Sequence, residues 1–400
     1  MKPNKSSYKD VRIGVYAICG DEPTGFIDRW LESMQGADKI WVLVTQETDT
    51  NLKALRAWKE KLGDKLEIYS MEIQPWRFDK ARNLSLELAG CEHGFDSVDA
   101  LVCTDIDEVL IEDFWDDYRK VVFEHPNFDR VLYRYAWSHD ENGDPDRVFW
   151  YDKTHQPTSY HWEYPVHETL VKNADATCEG VYRLDEGKIY LHHYPDISKS
   201  RGSYLNLLEL RAQECPNDLY GLFYLGREYS FVHRLDKTVS VMVGLYLRLM
   251  SQNLPDDYCM KPAICYSVAD AYRIMGLSDL AEVWYKRGIS DDARYRDNYI
   301  GLAQFYAWNN RPDDALDVLK EMEEHSVYIE DWRTSPHMWS VWKREQIIAD
   351  CLMWKGEYRF AAVHMERALQ DIRTETDRVQ ATQEGFYSDL KFLQEKLQNI

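Results

Sequence analysis

Between residue 11 and about residue 195, short apolar runs rich in Val and Ile alternate with segments whose apolar positions repeat at helical spacing. "VRIGVYAIC" (11–19) predicts a strand, "TGFIDRWLESMQ" (24–35) an amphipathic helix and "KIWVLVT" (39–45) a second strand. "TNLKALRAWKEKLG" (50–63) predicts a helix closed by Gly63, and "LEIYSME" (66–72) a third strand. "FDKARNLSLELAG" (78–90) predicts a helix and "DALVCTDID" (99–107) a fourth strand. Strands alternating with helices of this length imply a mainly parallel sheet covered on both faces. Ligands of such sheets bind beyond the carboxyl ends of the strands.

Beyond residue 200 the strand pattern stops and the segments become helical. "REYSFVHR" (227–234), "ADAYRIMG" (269–276), "AQFYAWNN" (303–310) and "ADCLMWKG" (349–356) align with a turn residue at the end of each. After three of these turns an Ala follows five residues on, at Ala281, Ala315 and Ala361. A loose period near 34 residues, with small residues where helices cross, marks stacked helical hairpins similar to degenerate tetratricopeptide repeats. An ordinary helical bundle is the plainer alternative. The division expected is 1–200 for the α/β domain and 201–400 for the helical one, with the boundary in 196–218, where Pro216 stops a helix.

Composition narrows the partners. The 400-residue chain carries a formal net charge of -21, and no strongly basic run interrupts that acidity. Nucleic acid is therefore not expected, because phosphate binding draws on clustered Lys and Arg. No apolar run approaches the roughly 18 residues of a membrane span. The eight cysteines are scattered, without the paired spacing of zinc or redox sites. The expectation is a cytoplasmic protein with reduced, mostly buried thiols.

Candidate chemistry concentrates in "ALVCTDIDEVL" (100–110), where an apolar run delivers Asp105, Asp107 and Glu108 within four residues. Like charges so close are tolerated where a cation or a proton offsets them. On an extended backbone Asp105 and Asp107 share one side and Ile106 takes the other, an arrangement suited to a hard divalent cation. The alternative is a solvated acidic strand end. A second Asp-x-Asp, Asp144 to Asp146, sits among Asn, Gly and Pro and reads as an exposed turn.

"FDKARNLSLELA" followed by "LVCTDIDEVL" resembles the Arg-Asn helix and Asp-x-Asp strand of family 2 glycosyltransferases. Those enzymes have the GT-A (Rossmann-like) fold. A helical-repeat segment after such a domain is similar to the arrangement in sublancin-type peptide S-glycosyltransferases. The resemblance implies a metal-dependent hexosyltransferase with a nucleotide-sugar donor, usually UDP-linked, a Mn2+ or Mg2+ ion, and inversion at the sugar. It implies that Asp105 contacts ribose or metal, that Asp107 binds the metal, and that Arg82 reaches the base or a phosphate. Asn83 either supports Arg82 or caps a neighbouring loop. Ala17 and Thr45 are candidates for the base pocket, with sheet core as the alternative for Ala17. His193, or its neighbour His192, would complete the metal shell.

An inverting transferase needs a general base for the acceptor. Glu168 in "VHETL" is the candidate, with His167 second. The helical repeats would bind, position or dimerise around a peptide or protein acceptor. Two other functions fit the same sequence. A nucleotidyltransferase can carry two Asp on a comparable sheet, but "ICGDEPTGF" lacks its Gly-rich phosphate loop. The other is a non-catalytic scaffold, with partner-binding repeats and a degenerate sugar-nucleotide domain.

Overall fold

Alternation along the first strand sets the layers of the α/β unit. In β1 (Ile13–Cys19), Ile13, Val15, Ala17 and Cys19 enter one apolar cluster with Trp30, Leu31, Leu55 and Phe114. Tyr16 enters another, with Trp41, Leu101 and Trp162. Gly14 is required here, since a Cβ would stand 2.5 Å from the Trp41 ring. The coordinates come from a computed structural model and describe residues 5–91, 97–140, 142–196, 202, 204–251, 260–327, 329, 333, 340–372 and 375–398. The chain forms two compact units, Met1–His139 with Pro145–Arg211, and Asp140–Asp144 with Ala212–Ile400.

In the first unit β1 pairs in parallel with β2 (Lys39–Val44) on one side and with β4 (Ala100–Cys103) on the other. β3 (Leu66–Ser70) extends the sheet beyond β2, and a two-residue β8 (Thr154–His155) runs antiparallel on β4. The order β3-β2-β1-β4 reverses direction between β1 and β4, which puts the topological switch point, where ligands of such sheets bind, past their carboxyl ends. The helices are α1 (Thr24–Ser33), α2 (Asp49–Leu62), α3 (Phe78–Cys91) and α4 (Asp113–Glu124). Thr48 caps α2 with Asn51 in a reciprocal capping box, and Gly63, at φ 58°, ends it as the sequence predicts.

Two expectations change. β4 stops at Cys103, and the chain turns at once, with Glu108 N donating to Asp105 O at 3.0 Å. Asp105 and Asp107 therefore do not share one side of an extended strand. Most of residues 108–193 forms antiparallel and mixed pairings rather than a continued parallel sheet. β6 (Arg130–His139) is flanked by β7 (Pro145–Tyr151), β11 (Val181–Arg183) and β12 (Ile189–His193), and β12 pairs with β5 (Glu108–Leu110). β9 (Tyr160–Glu163) and β10 (Thr169–Lys172) make a separate ladder. The helix Tyr204–Glu214 follows and ends before Pro216; residues 197–201 and 203 of the expected linker lie outside the described residues.

The second unit stacks antiparallel helical hairpins, the tetratricopeptide-like architecture expected. The described hairpins are Leu219–Phe231 with Leu235–Ser251, Met260–Ile274 with Ser278–Asp291, Arg296–Trp308 with Pro312–His325, Val341–Trp354 with Tyr358–Asp371, and Glu375–Gln383 with Phe386–Gln398. Each turns through one left-handed residue: His233, Gly276, Asn310, Gly356 and Gly385. The first turn therefore lies one residue earlier than the sequence alignment places it, at His233. Five residues past the turns, Thr238, Ala281, Ala315 and Ala361 are fully buried where the paired helices cross. Thr238 is the small residue that the Ala pattern did not reveal.

Among the described residues, Cys19, Cys103, Cys178, Cys215, Cys265 and Cys351 take part in no disulfide. Cys259 and the Cys91 side chain lie outside the described residues. Among the described residues no helix is long and apolar enough to cross a membrane.

Candidate functional site

The charge that "TDIDE" concentrates is answered by cations of the chain itself. Arg82, buried on α3, donates from Nη2 to Asp105 Oδ1 at 2.7 Å and from Nε to Glu168 Oε1. Lys153, buried just before β8, donates to Asp105 Oδ2 at 2.7 Å and lies 3.5 Å from Glu108 Oε1. Glu108 Oε2 in turn accepts from the Asp105 backbone N–H at 2.9 Å. Desolvation opposes ionisation of Asp105, but Arg82 and Lys153 outweigh it and hold the carboxyl well below the usual range. Burial pushes Glu108 upward against the pull of Lys153. Lys153 itself is held well above its ordinary value, because Asp105 and Glu108 overcome the cost of burying the ammonium.

Asp107 stands apart from this cluster. Its Oδ2 is 3.3 Å from His193 Nε2, while His193 Nδ1 faces the Trp137 carbonyl at 3.1 Å. Burial lowers the His193 imidazole, but Asp107 more than compensates, and its value is raised overall. His192 points the other way, with Nδ1 2.9 Å from His139 Nε2 in a stack that includes Tyr194. Trp137 is exposed beside His193.

A divalent cation does not fit this arrangement as it stands. Both carboxylate oxygens of Asp105 are engaged by Arg82 and Lys153, although 34% of the side chain meets solvent. Among the described residues no group of three or more His, Cys, Asp or Glu is placed to share a metal.

The remaining predicted residues serve the frame. Asn83 pairs with the backbone of β9, donating to Trp162 O at 2.7 Å and accepting from Trp162 N at 2.8 Å. Ala17 is buried in β1, and its carbonyl accepts from Ser85 of α3 at 3.1 Å. Thr45 ties the ends of β2 and β1 through Cys19 O, from its N–H at 2.8 Å and its hydroxyl at 3.2 Å. Glu168 faces Arg82, whereas His167 sits at φ 50° with its carbonyl held by buried Arg211 at 2.9 Å. Its ring lies edge-on to Tyr204. Trp162 is a core residue with Arg82 over its ring, and its Nε1 donates to Tyr16 Oη at 2.9 Å. Lys153 was missed because a lone Lys in "YDKTH" carries no local signal; only the turn from β7 into β8 brings it under Asp105.

The repeat unit presents a second candidate surface. Two residues before four of the left-handed turns the first helix of each hairpin ends in a large apolar side chain. These are Phe231, Ile274, Trp308 and Trp354, exposed by 57%, 48%, 46% and 57%. One helical turn earlier on the same face stand Arg227, Asp270, Gln304 and Asp350.

No family model matches the sequence, and no curated protein matches it. Similar solved structures include MamA, at 15% identity over 42% of this chain and 80% of that one, with a TM-score of 0.32. They include the tetratricopeptide protein TTC0263 of Thermus thermophilus, at 18% identity, 47% and 90% coverage and a TM-score of 0.35. YrrB, described as a tetratricopeptide protein with an unusual peptide-binding site, is 10% identical over 46% of this chain and 83% of that one, at 0.31. TTC0263 and YrrB are described as tetratricopeptide-repeat proteins, and none of the three is described as a glycosyltransferase. The expected membership of glycosyltransferase family 2, and the sugar transfer it implied, are overturned on that finding. The ion-paired state of Asp105 agrees with the correction, and the repeat architecture rests on the hairpins themselves.

Proposed function

We propose that the chain is a non-catalytic scaffold whose helical-repeat unit docks a peptide or protein partner. The recurrence of Phe231, Ile274, Trp308 and Trp354 at one position of successive hairpins carries this reading. Large apolar side chains left in water at a repeated position of neighbouring hairpins are surface that a monomer gains nothing by exposing. Stacked hairpins display such a surface along their length, which suits an extended partner. In the α/β unit the charges of Asp105, Glu108 and Glu168 are taken up by Arg82 and Lys153, an arrangement that supports a structural role for that cluster.

Panning a random phage-displayed peptide library against the full chain tests the reading. Enriched peptides should compete with one another and lose binding to the Trp308→Ala/Trp354→Ala variant. A library that yields no enriched peptide, or peptides indifferent to that variant, overturns it.

A further inference from the structure

The residues one turn behind the exposed ladder are not uniform in charge, and the described cation that acts on Asp350 at its far end, Lys343, is buried and paired with Glu384. Asp270 is answered by Arg273, whose Nη2 is 2.6 Å away, and Gln304 donates to Glu384 at 3.1 Å. Lys343, on the same helix as Asp350, is taken by Glu384. Asp350 is half-buried, and its Oδ1 is fully covered by protein yet has no hydrogen-bond partner among the described residues. Asp389, half-buried in the last hairpin, adds a second negative charge close enough to act on it. Burial first, then Asp389, push the Asp350 carboxyl up to about 8 against the opposing pull of Lys343, and burial raises Asp389 as well.

Deepening the scaffold reading on which it rests, we propose that this surface takes an extended peptide with an apolar side chain at every third residue and a Lys or Arg that enters beside Asp350. The spacing follows from the helices. The first helices of successive hairpins pack against one another, and packed helices lie about 8–10 Å apart. A peptide extended as polyproline II has three residues per turn and advances about 3.1 Å per residue, so three residues carry it from one hairpin to the next and return its side chains to the same face. Apolar side chains at that interval meet Phe231, Ile274, Trp308 and Trp354 in turn. The cation follows from charge complementarity: an ammonium or guanidinium beside Asp350 favours its ionised form, displacing the proton that burial and Asp389 hold there, and supplies a donor where Oδ1 has none. Asp350 and Trp354 are four residues apart on one helix, so one incoming side chain can touch both.

The probe is a fluorescein-labelled peptide with leucine at every third position and a terminal lysine, compared with the same peptide carrying norleucine in place of that lysine. Binding to the full chain is read by fluorescence anisotropy. The lysine peptide should bind at least tenfold more tightly. Asp350→Asn should reduce that ratio to near one, and Asp389→Asn should reduce it partly. Trp308→Ala/Trp354→Ala should weaken both peptides by tenfold or more, with circular dichroism showing the helices intact. Equal binding of the two peptides to wild type, or a ratio that survives Asp350→Asn, overturns the proposal. Enrichment of library peptides that lack basic residues, displaced by Trp308→Ala/Trp354→Ala, overturns this inference while leaving the scaffold reading standing. Failure of both synthetic peptides and of the library removes both.

Discussion

Lys153 Nζ stands 2.7 Å from Asp105 Oδ2 and 3.5 Å from Glu108 Oε1, so one buried ammonium serves two carboxylates of the same turn. Removing one partner of a buried ion pair leaves the others uncompensated in a poorly solvated site. Lys153→Met should destabilise the α/β unit by about 3 kcal/mol. The double variant Lys153→Met/Glu108→Gln should lose less, because it also removes one stranded charge. Urea unfolding followed by tryptophan fluorescence measures both; equal losses would show that Glu108 does not depend on Lys153.

His155 gives the α/β unit a defined response to acid. Its Nδ1 donates to Gln156 O at 2.8 Å, and its Nε2 accepts from Tyr16 Oη at 2.8 Å, so the ring is held neutral. Burial depresses its value from 6.5 to about 4. Between those pH values the unfolded chain binds the proton and the folded one does not. Stability is therefore complete above pH 6.5 and falls as pH drops toward 4, by about 3 kcal/mol in all. His155→Gln should flatten that slope in a series of unfolding curves from pH 4 to 7.

Asp350 has the opposite sign. Its folded value of about 8 lies above its ordinary 3.8, so the native state holds a proton that the unfolded chain releases. Stability of the repeat unit should fall as pH rises from 4 to 8. Asp350→Asn should raise the melting temperature at pH 8.5 and change it little at pH 4.5. An equal effect at both values would place the carboxyl in an ordinary solvated state.

The paired state of Asp105 has a direct consequence for ligands. Mn2+ with a nucleoside diphosphate should leave the melting temperature unchanged, since a ligand raises it only by binding the native state. A Mn2+-dependent rise that disappears in Asp107→Ala would show that the cluster opens to a metal.

The left-handed turns should respond according to residue type. His233 and Asn310 occupy φ 56° and 55°, and Gly356 φ 77°. His233→Gly should stabilise the repeat unit by up to about 1 kcal/mol, and Gly356→Ala should cost about 1 kcal/mol. Ala315→Leu, at a fully buried crossing of paired helices, should cost about 1–3 kcal/mol by overpacking. Thermal unfolding followed at 222 nm ranks the three.

Local chemistry alone determined much of this protein. Period-two and period-3.6 patterns placed four strands and three helices of the sheet within a few residues, because each buries one face against a neighbour. Gly63 and the left-handed turns at Gly276 and Gly356 were readable because only Gly adopts those conformations without strain. What lay beyond the sequence were contacts between residues distant in the chain. The turn at Asp105 to Glu108 separated two carboxylates that an extended strand would have aligned. Arg82 and Lys153, 71 residues apart in number and adjacent in space, supplied the charge that a metal was expected to supply. Likewise, no local pattern marks Phe231, Ile274, Trp308 and Trp354 as exposed, since an apolar residue at a helix end is ordinarily core. Burial is fixed by which helices pack beside which, and that is decided only when the whole stack forms.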